Sequence, residues 1–242
     1  MKKAKRLLFV FVIVLSAVFS VIGEVSAQSQ TKEKTMVVRK TRLRYLSWFP
    51  SAYNTHKDQQ FPLLIFLHGS GERGTDLEKV KAWGPPSFVE SRPDFPFIVI
   101  SPQCPEGQWW KIEDLDLLLT QLLKKLRVDS DRVYLTGLSM GGYGTWEWAY
   151  TYPGRFAAIA PVCGGGEPIM AEELKLIPVW AFHGQDDPVV PVQGAIEMVE
   201  AVNKAGGDAK LTIYPGVGHD SWKNAYTEDG LYKWLLSHTR GK

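Results

Sequence analysis

Net charge is the first thing this sequence lacks. Its 28 basic and 26 acidic side chains leave a formal +2, and the first 27 residues account for it. There Met-Lys-Lys-Ala-Lys-Arg precedes an apolar run from Leu7 to Ile22 that leads into Val25-Ser26-Ala27. That order predicts a signal peptide cleaved before Gln28 and a secreted or periplasmic product. The run is short for a membrane span, so no stable anchor is expected after cleavage, and the absence of a nearby cysteine gives a lipid-anchored form no support. Removal leaves 24 basic and 25 acidic side chains, a charge of −1. A near-neutral domain offers nothing to nucleic acid or to an anionic membrane. Repeats and low-complexity linkers are missing too, so residues 28–242 are expected to form one domain around a large core. Cysteine is scarce: Cys104 and Cys163 allow at most one disulfide.

What is present is an alternation of apolar strands and amphipathic helices. Residues 28–35 are polar, and 36–50 predict one or two antiparallel edge strands, with Arg42 to Leu46 alternating polar and apolar. Residues 54–60 form a polar loop. Continuous apolar stretches at 62–67 and 97–101 predict strands covered on both faces, with a weak helix at 76–83 between them. Residues 113–127 carry leucines at helical spacing (Leu115, Leu118, Leu119, Leu122, Leu123, Leu126) above a charged face. Strands follow at 131–136, 156–162, 178–182 and 210–214, and helices at 145–150, 168–176, 193–205 and 227–237. This alternation predicts an α/β fold, a mostly parallel sheet with helices on both faces. Sites in such sheets gather on loops at the carboxyl ends of the strands.

On that edge lies Gly137-Leu138-Ser139-Met140-Gly141, between a strand and a helix. An ordinary glycine-rich turn would read similarly. In this flanking context the pentapeptide predicts a nucleophile elbow, with Ser139 at the tip of a turn that leaves no room for a β-carbon at Gly137 or Gly141. A serine hydroxyl needs a base in contact and the base needs a third group to hold it. Of five histidines, His219 sits in a glycine-rich loop after the last strand, where the base appears in the order Ser, acid, His. His68 and His183 end buried strands and are expected to bond to backbone, while His56 and His238 belong to the surface. The acid belongs between Ser139 and His219, where Asp186 and Asp187 both end a strand. Pro188 fixes the turn after Asp187, which favours Asp187 as the acid and Asp186 as a turn cap. The oxyanion donors are expected from the backbone amide of Met140 and from Ser70 or Gly71 in the loop after residue 67.

These segments together with His183-Gly184-Gln185-Asp186-Asp187-Pro188-Val189-Val190-Pro191 give the chain, over about residues 40–238, its resemblance to α/β-hydrolases. It is most similar to single-domain carboxylesterases of the phospholipase/carboxylesterase and dienelactone-hydrolase-like kind, including secreted proteins labelled predicted peptidases and feruloyl or polyester esterases. The resemblance implies the α/β-hydrolase fold, the aspartate before the proline as triad acid, and neither metal nor organic cofactor. Dienelactone hydrolases use a cysteine nucleophile where this chain has Ser139, so that narrower activity does not carry over. The family's strand order would put Cys104 and Cys163 at the ends of strands three places apart, about 14 Å at roughly 4.8 Å per strand, beyond disulfide reach. Two unpaired, buried thiols are therefore expected.

No large lid insertion separates residue 162 from 178, which points to short-acyl or aryl esters, free or linked to polysaccharide. Trp109, Trp110, Tyr143 and Trp222 fall on the same edge, where they either stack on a substrate ring or pack loops together. Trp146 and Trp148, inside the elbow helix, are expected in the core. Glu72-Arg73 either meets a substrate carboxylate or braces the oxyanion loop as a local ion pair. The expected activity is that of a secreted serine carboxylesterase. The alternatives are a serine peptidase of the prolyl-oligopeptidase type, which usually carries a gating domain, and a non-catalytic binding module, against which the intact Ser, Asp and His set argues.

Overall fold

Apolar stretches that no helix could divide into wet and dry faces become the middle of one sheet. The structure, a computed structural model, describes residues 43–227 and 229–241; the expected signal segment, the polar stretch after it and the start of the first edge strand lie outside them. Seven strands, β1 (Arg44–Trp48), β2 (Phe61–Leu67), β3 (Ile98–Gln103), β4 (Val128–Leu138), β5 (Ala158–Val162), β6 (Val179–Gly184) and β7 (Ala209–Tyr214), form a sheet in the order β1-β3-β2-β4-β5-β6-β7. Only β1 runs antiparallel, against β3. The helices are α1 (Ala52–Thr55), α2 (Ile112–Lys125), α3 (Met140–Thr151), α4 (Gln193–Lys204), α5 (Trp222–Ala225) and α6 (Asp229–Leu236).

The side-chain period of a strand sorts the core into two layers. Leu63, Ile65 and Leu67 of β2 join Ile98, Ile100, Val133 and Leu135 on one face, beneath the buried residues of α2, α3 and α4. Leu64 and Phe66 join Val99, Tyr134 and Leu138 on the other, with Leu231 and Leu235 of α6. Leu115, Leu119 and Leu122 bury the inner stripe of α2, as their spacing predicts, and Asp116 pins that helix to Arg155 at 2.5 Å. Trp146 and Trp148 are fully buried. Among the described residues, no helix is long and apolar enough to cross a membrane.

Local differences from the sequence reading have physical causes. The strand expected at 131–136 starts at Val128 and runs through Asp129 and Ser130; Asp129 answers Arg132 at 2.7 Å, and Val128 already pairs with Phe61 across a bulge. The polar loop is preceded by the one-turn α1. The expected helices at 76–83 and 168–176 are tight 3₁₀ turns, Leu77–Ala82 and Pro168–Leu174. Cys104 and Cys163 are free and buried, at the ends of β3 and β5, with β2 and β4 between those strands.

Candidate active site

β4 turns directly into α3 at Ser139, whose backbone is held at φ 52 and ψ −116, a conformation other residues avoid. The turn is so tight because three backbones converge. A β-carbon on Gly137 would lie 2.4 Å from the Gly141 oxygen, and one on Gly141 only 2.0 Å from the Leu67 oxygen. The Ser139 N–H donates to the Val162 oxygen at 3.0 Å. The first amides of α3 have no partner within the helix, so its positive end stands beside the half-buried hydroxyl.

The loops after β6 and β7 bring the other two residues over. Gln185 N–H donates to the Tyr214 oxygen and Asp186 N–H to the Val217 oxygen, each at 3.0 Å, which fixes the two loops to one another. His219 then places Nε2 at 2.9 Å from Ser139 Oγ and Nδ1 at 2.8 Å from Asp187 Oδ2. Asp187 Oδ1 accepts the N–H groups of Val189 and Val190, both at 2.9 Å. Burial alone would raise this carboxyl; the hydrogen bond from His219 and the two amides outweigh it and hold it below the ordinary value. Asp186 is exposed, and the carboxylate on the imidazole is that of Asp187.

One contact was not read from the sequence. His183 Nε2, donating to the Val190 oxygen at 2.9 Å, also lies 3.3 Å from Asp187 Oδ2. The histidine four residues before the aspartate was the available signal. His183 and the two amides close a small ring around the carboxylate that leaves it one orientation.

His68 plays a comparable part on the other side of the serine. Its Nδ1–H donates to the Gly69 oxygen at 2.6 Å and its Nε2 accepts the Cys104 N–H at 3.0 Å, tying the loop after β2 to the loop after β3. Burial brings its pKa down to about 4, against the bond to Gly69 and with the help of the Arg73 charge. Between its ordinary 6.5 and 4 the unfolded chain takes up a proton that the folded His68 refuses, so stability falls as pH drops through that window. The contribution is on the order of 3 kcal/mol. His68→Gln is expected to flatten the dependence of the thermal midpoint on pH across this interval; an unchanged slope would remove His68 as its source.

Ser70, Gly71 and Glu72 make a single 3₁₀ turn after Gly69, and a β-carbon on Gly69 would lie 3.6 Å from that of Ser139. Of the oxyanion candidates, Met140 follows Ser139 directly, and Ser70 and Gly71 lie in the turn that starts beside it at Gly69. The aromatic candidates divide. Trp109 is 61% exposed and meets Tyr143 edge-on at 6.2 Å. Trp222 stands edge-on to His219 at 5.3 Å and meets Trp83 at 5.9 Å. Trp110 is only 6% exposed; its ring packs at 4.7 Å from His68 and its N–H goes to the His68 oxygen. Trp110 braces the loop and does not line the site, a correction to the sequence reading. A second correction concerns Glu72 and Arg73, which do not pair. Burial raises the Glu72 carboxyl above its ordinary value, only partly offset by the backbone at Gly69 and Glu72, while Arg73 Nη2 turns to Met140 Sδ at 2.9 Å.

With this geometry in view, residues 95–228 match the family described as Phospholipase/Carboxylesterase. The chain belongs to that family. Among its relatives is a bifunctional acetylxylan esterase/xylanase of Neocallimastix patriciarum, 27% identical over 139 residues, which cover 54% of this chain and 20% of that protein. Another is a probable feruloyl esterase C of Aspergillus oryzae, 26% identical over 226 residues, 90% of this chain and 83% of that one. The crystal structure of a thermostable esterase superposes with a TM-score of 0.74 at 34% identity, covering 82% of this chain and 60% of the other. This phospholipase/carboxylesterase family member thus spans only a fifth of the first relative and three-fifths of the esterase chain.

Proposed function

We propose that the chain is an exported carboxylic ester hydrolase working through Ser139, His219 and Asp187. The reading is carried by the continuous hydrogen-bonded line from carboxylate to imidazole to hydroxyl, at 2.8 and 2.9 Å, ending at the N-terminus of α3. Ser139 Oγ attacks the ester carbonyl carbon as His219 Nε2 takes its proton. The oxyanion that forms is met by the amide of Met140 and by an amide of Ser70 or Gly71. The tetrahedral intermediate expels the alcohol, protonated by His219, and leaves an acyl group on Ser139. Water, deprotonated by His219, then attacks the acyl carbon and releases the acid. Asp187, held ionised, keeps Nδ1 protonated and steadies the imidazolium in both halves.

Residues 28–242 serve as the mature catalytic domain in this reading, with residues 1–27 as its export signal. Between β5 and β6 lies only a glycine-rich turn and the Pro168–Leu174 segment, which leaves little to cover a long acyl chain. Short-acyl and aryl esters fit, and the names of the acetylxylan and feruloyl relatives suggest esters borne on polysaccharide. A p-nitrophenyl series from acetate to laurate is expected to give the highest kcat/KM at two to four carbons, at least roughly tenfold above laurate, each lost methylene contact being worth at most about 0.8 kcal/mol. Peptide anilides are expected to be poor substrates. A rise in kcat/KM towards laurate would overturn the short-acyl assignment, and efficient anilide cleavage would favour the peptidase.

A further inference from the structure

The loop after β2 carries a cation that its surroundings do not answer. Arg73 follows the 3₁₀ turn beside Ser139 and is only half-buried. Among the described residues it takes part in no ion pair. Arg155 has Asp116, Arg132 has Asp129, Arg240 has Asp131, Arg127 and Arg44 reach backbone carbonyls, and Arg92, which lies over the ring of Phe88, is exposed to water. Arg73 has the Met140 thioether at 2.9 Å, the Cys104 thiol and the face of Trp109 at 5.9 Å. Sulfur is a weak acceptor for a guanidinium, and Arg73 Nε is buried with no acceptor at all. Partial desolvation of a charge is costly without a strong partner.

The location gives that charge a use. Met140, which Arg73 touches, directly follows the nucleophile. Trp109, whose exposed ring lies over the guanidinium, packs edge-on against Tyr143, which sits in the first turn of α3, its N–H donating to the main-chain carbonyl of Ser139 at 3.1 Å. Cation and flat apolar surface thus both lean on the first turn of the helix that Ser139 opens. On the other flank Lys223 also lies near an aromatic ring, that of Trp83, but Asp220 neutralises it at 2.6 Å.

We propose that Arg73 and Trp109 form a subsite for a carboxylate carried by the ester substrate, away from the scissile bond. This rests on the hydrolase reading above and names the substrate class within it: esters bearing a free carboxylate are preferred to neutral esters of the same shape. A charge-assisted bond of this kind is expected to give a preference of roughly tenfold to a hundredfold.

The test compares monomethyl glutarate with methyl valerate, which puts a methyl where the carboxylate stands, in wild type, Arg73→Met and Arg73→Lys, by titrating released acid. Wild type is expected to favour the glutarate ester in kcat/KM, and less so as salt rises. Arg73→Met is expected to lose at least about tenfold on that ester and stay within about twofold on methyl valerate, with Arg73→Lys in between. A glutarate-to-valerate ratio that does not change in Arg73→Met overturns the subsite, as does equal loss on both esters, which would mark Arg73 as structural support for Met140. Tryptophan fluorescence separates the two readings in the Ser139→Ala protein. Quenching by monomethyl glutarate that Arg73→Met abolishes upholds the subsite even where neither ester is hydrolysed, an outcome that would sink only the hydrolase reading.

Discussion

Ser139→Ala is expected to lower kcat for p-nitrophenyl acetate by about 10⁴- to 10⁶-fold, with KM moving no more than about threefold. The asymmetry follows from the geometry. Alanine deletes the atom 2.9 Å from His219 Nε2 but leaves the amides of Met140, Ser70 and Gly71 and the aromatic surfaces of Trp109, Tyr143 and Trp222. Binding survives and the acyl-enzyme route does not. Residual turnover above water is expected from the oxyanion donors alone. The variant should fold as well as wild type, because Ser139 is only half-buried and the described bond of its Oγ is to His219. Purified Ser139→Ala retaining a tenth of wild-type kcat would remove the serine from its role.

The second large effect is structural. Gly141→Ala places a methyl 2.0 Å from the Leu67 oxygen and 2.8 Å from the His68 oxygen, both backbone atoms of the central strand β2 and the loop that leaves it. No rotamer relieves a β-carbon. Either α3 retreats from β2, opening the cluster around Leu67, Trp110 and Met140, or the elbow unwinds. A loss of at least about 3 kcal/mol is expected, in the range of severe core overpacking. Fluorescence-detected urea unfolding measures it, and a midpoint equal to wild type would show that the approach of the three backbones is looser than described. Esterase activity is expected to fall further than stability alone accounts for, since Met140 N–H moves with the helix.

The sequence exposed the parts of this fold that repeat a simple period and hid those that depend on direction. Leu63 to Leu67 is apolar at every position because both faces of β2 are covered, and that is visible in a string of letters. So is the glycine spacing around Ser139, since only a crowded turn demands it. Trp109 and Trp110 show the limit: two identical neighbours, one nearly buried against His68 and one open to solvent. Nothing in composition tells which side of a loop will face inward. Glu72 and Arg73 show the same limit, as adjacent opposite charges that do not meet, Arg73 turning instead to the sulfur of Met140. Charge does not mark where β4 begins: its exposed end carries Asp129 and Asp131, and Arg132 answers Asp129 locally. The contact of His183 with Asp187 was within reach of spacing alone, but only once Asp187 had been chosen.

The strand order has one more consequence. Ser139 leaves the middle of the sheet, whereas Asp187 and His219 hang from β6 and β7, with β7 at the rim and last in the chain. A polypeptide that ends at β5 would hold the elbow yet lack both partners, and on the proposed mechanism it is expected to be inert. In a refolding experiment the return of turnover is therefore expected to follow the docking of the rim strand.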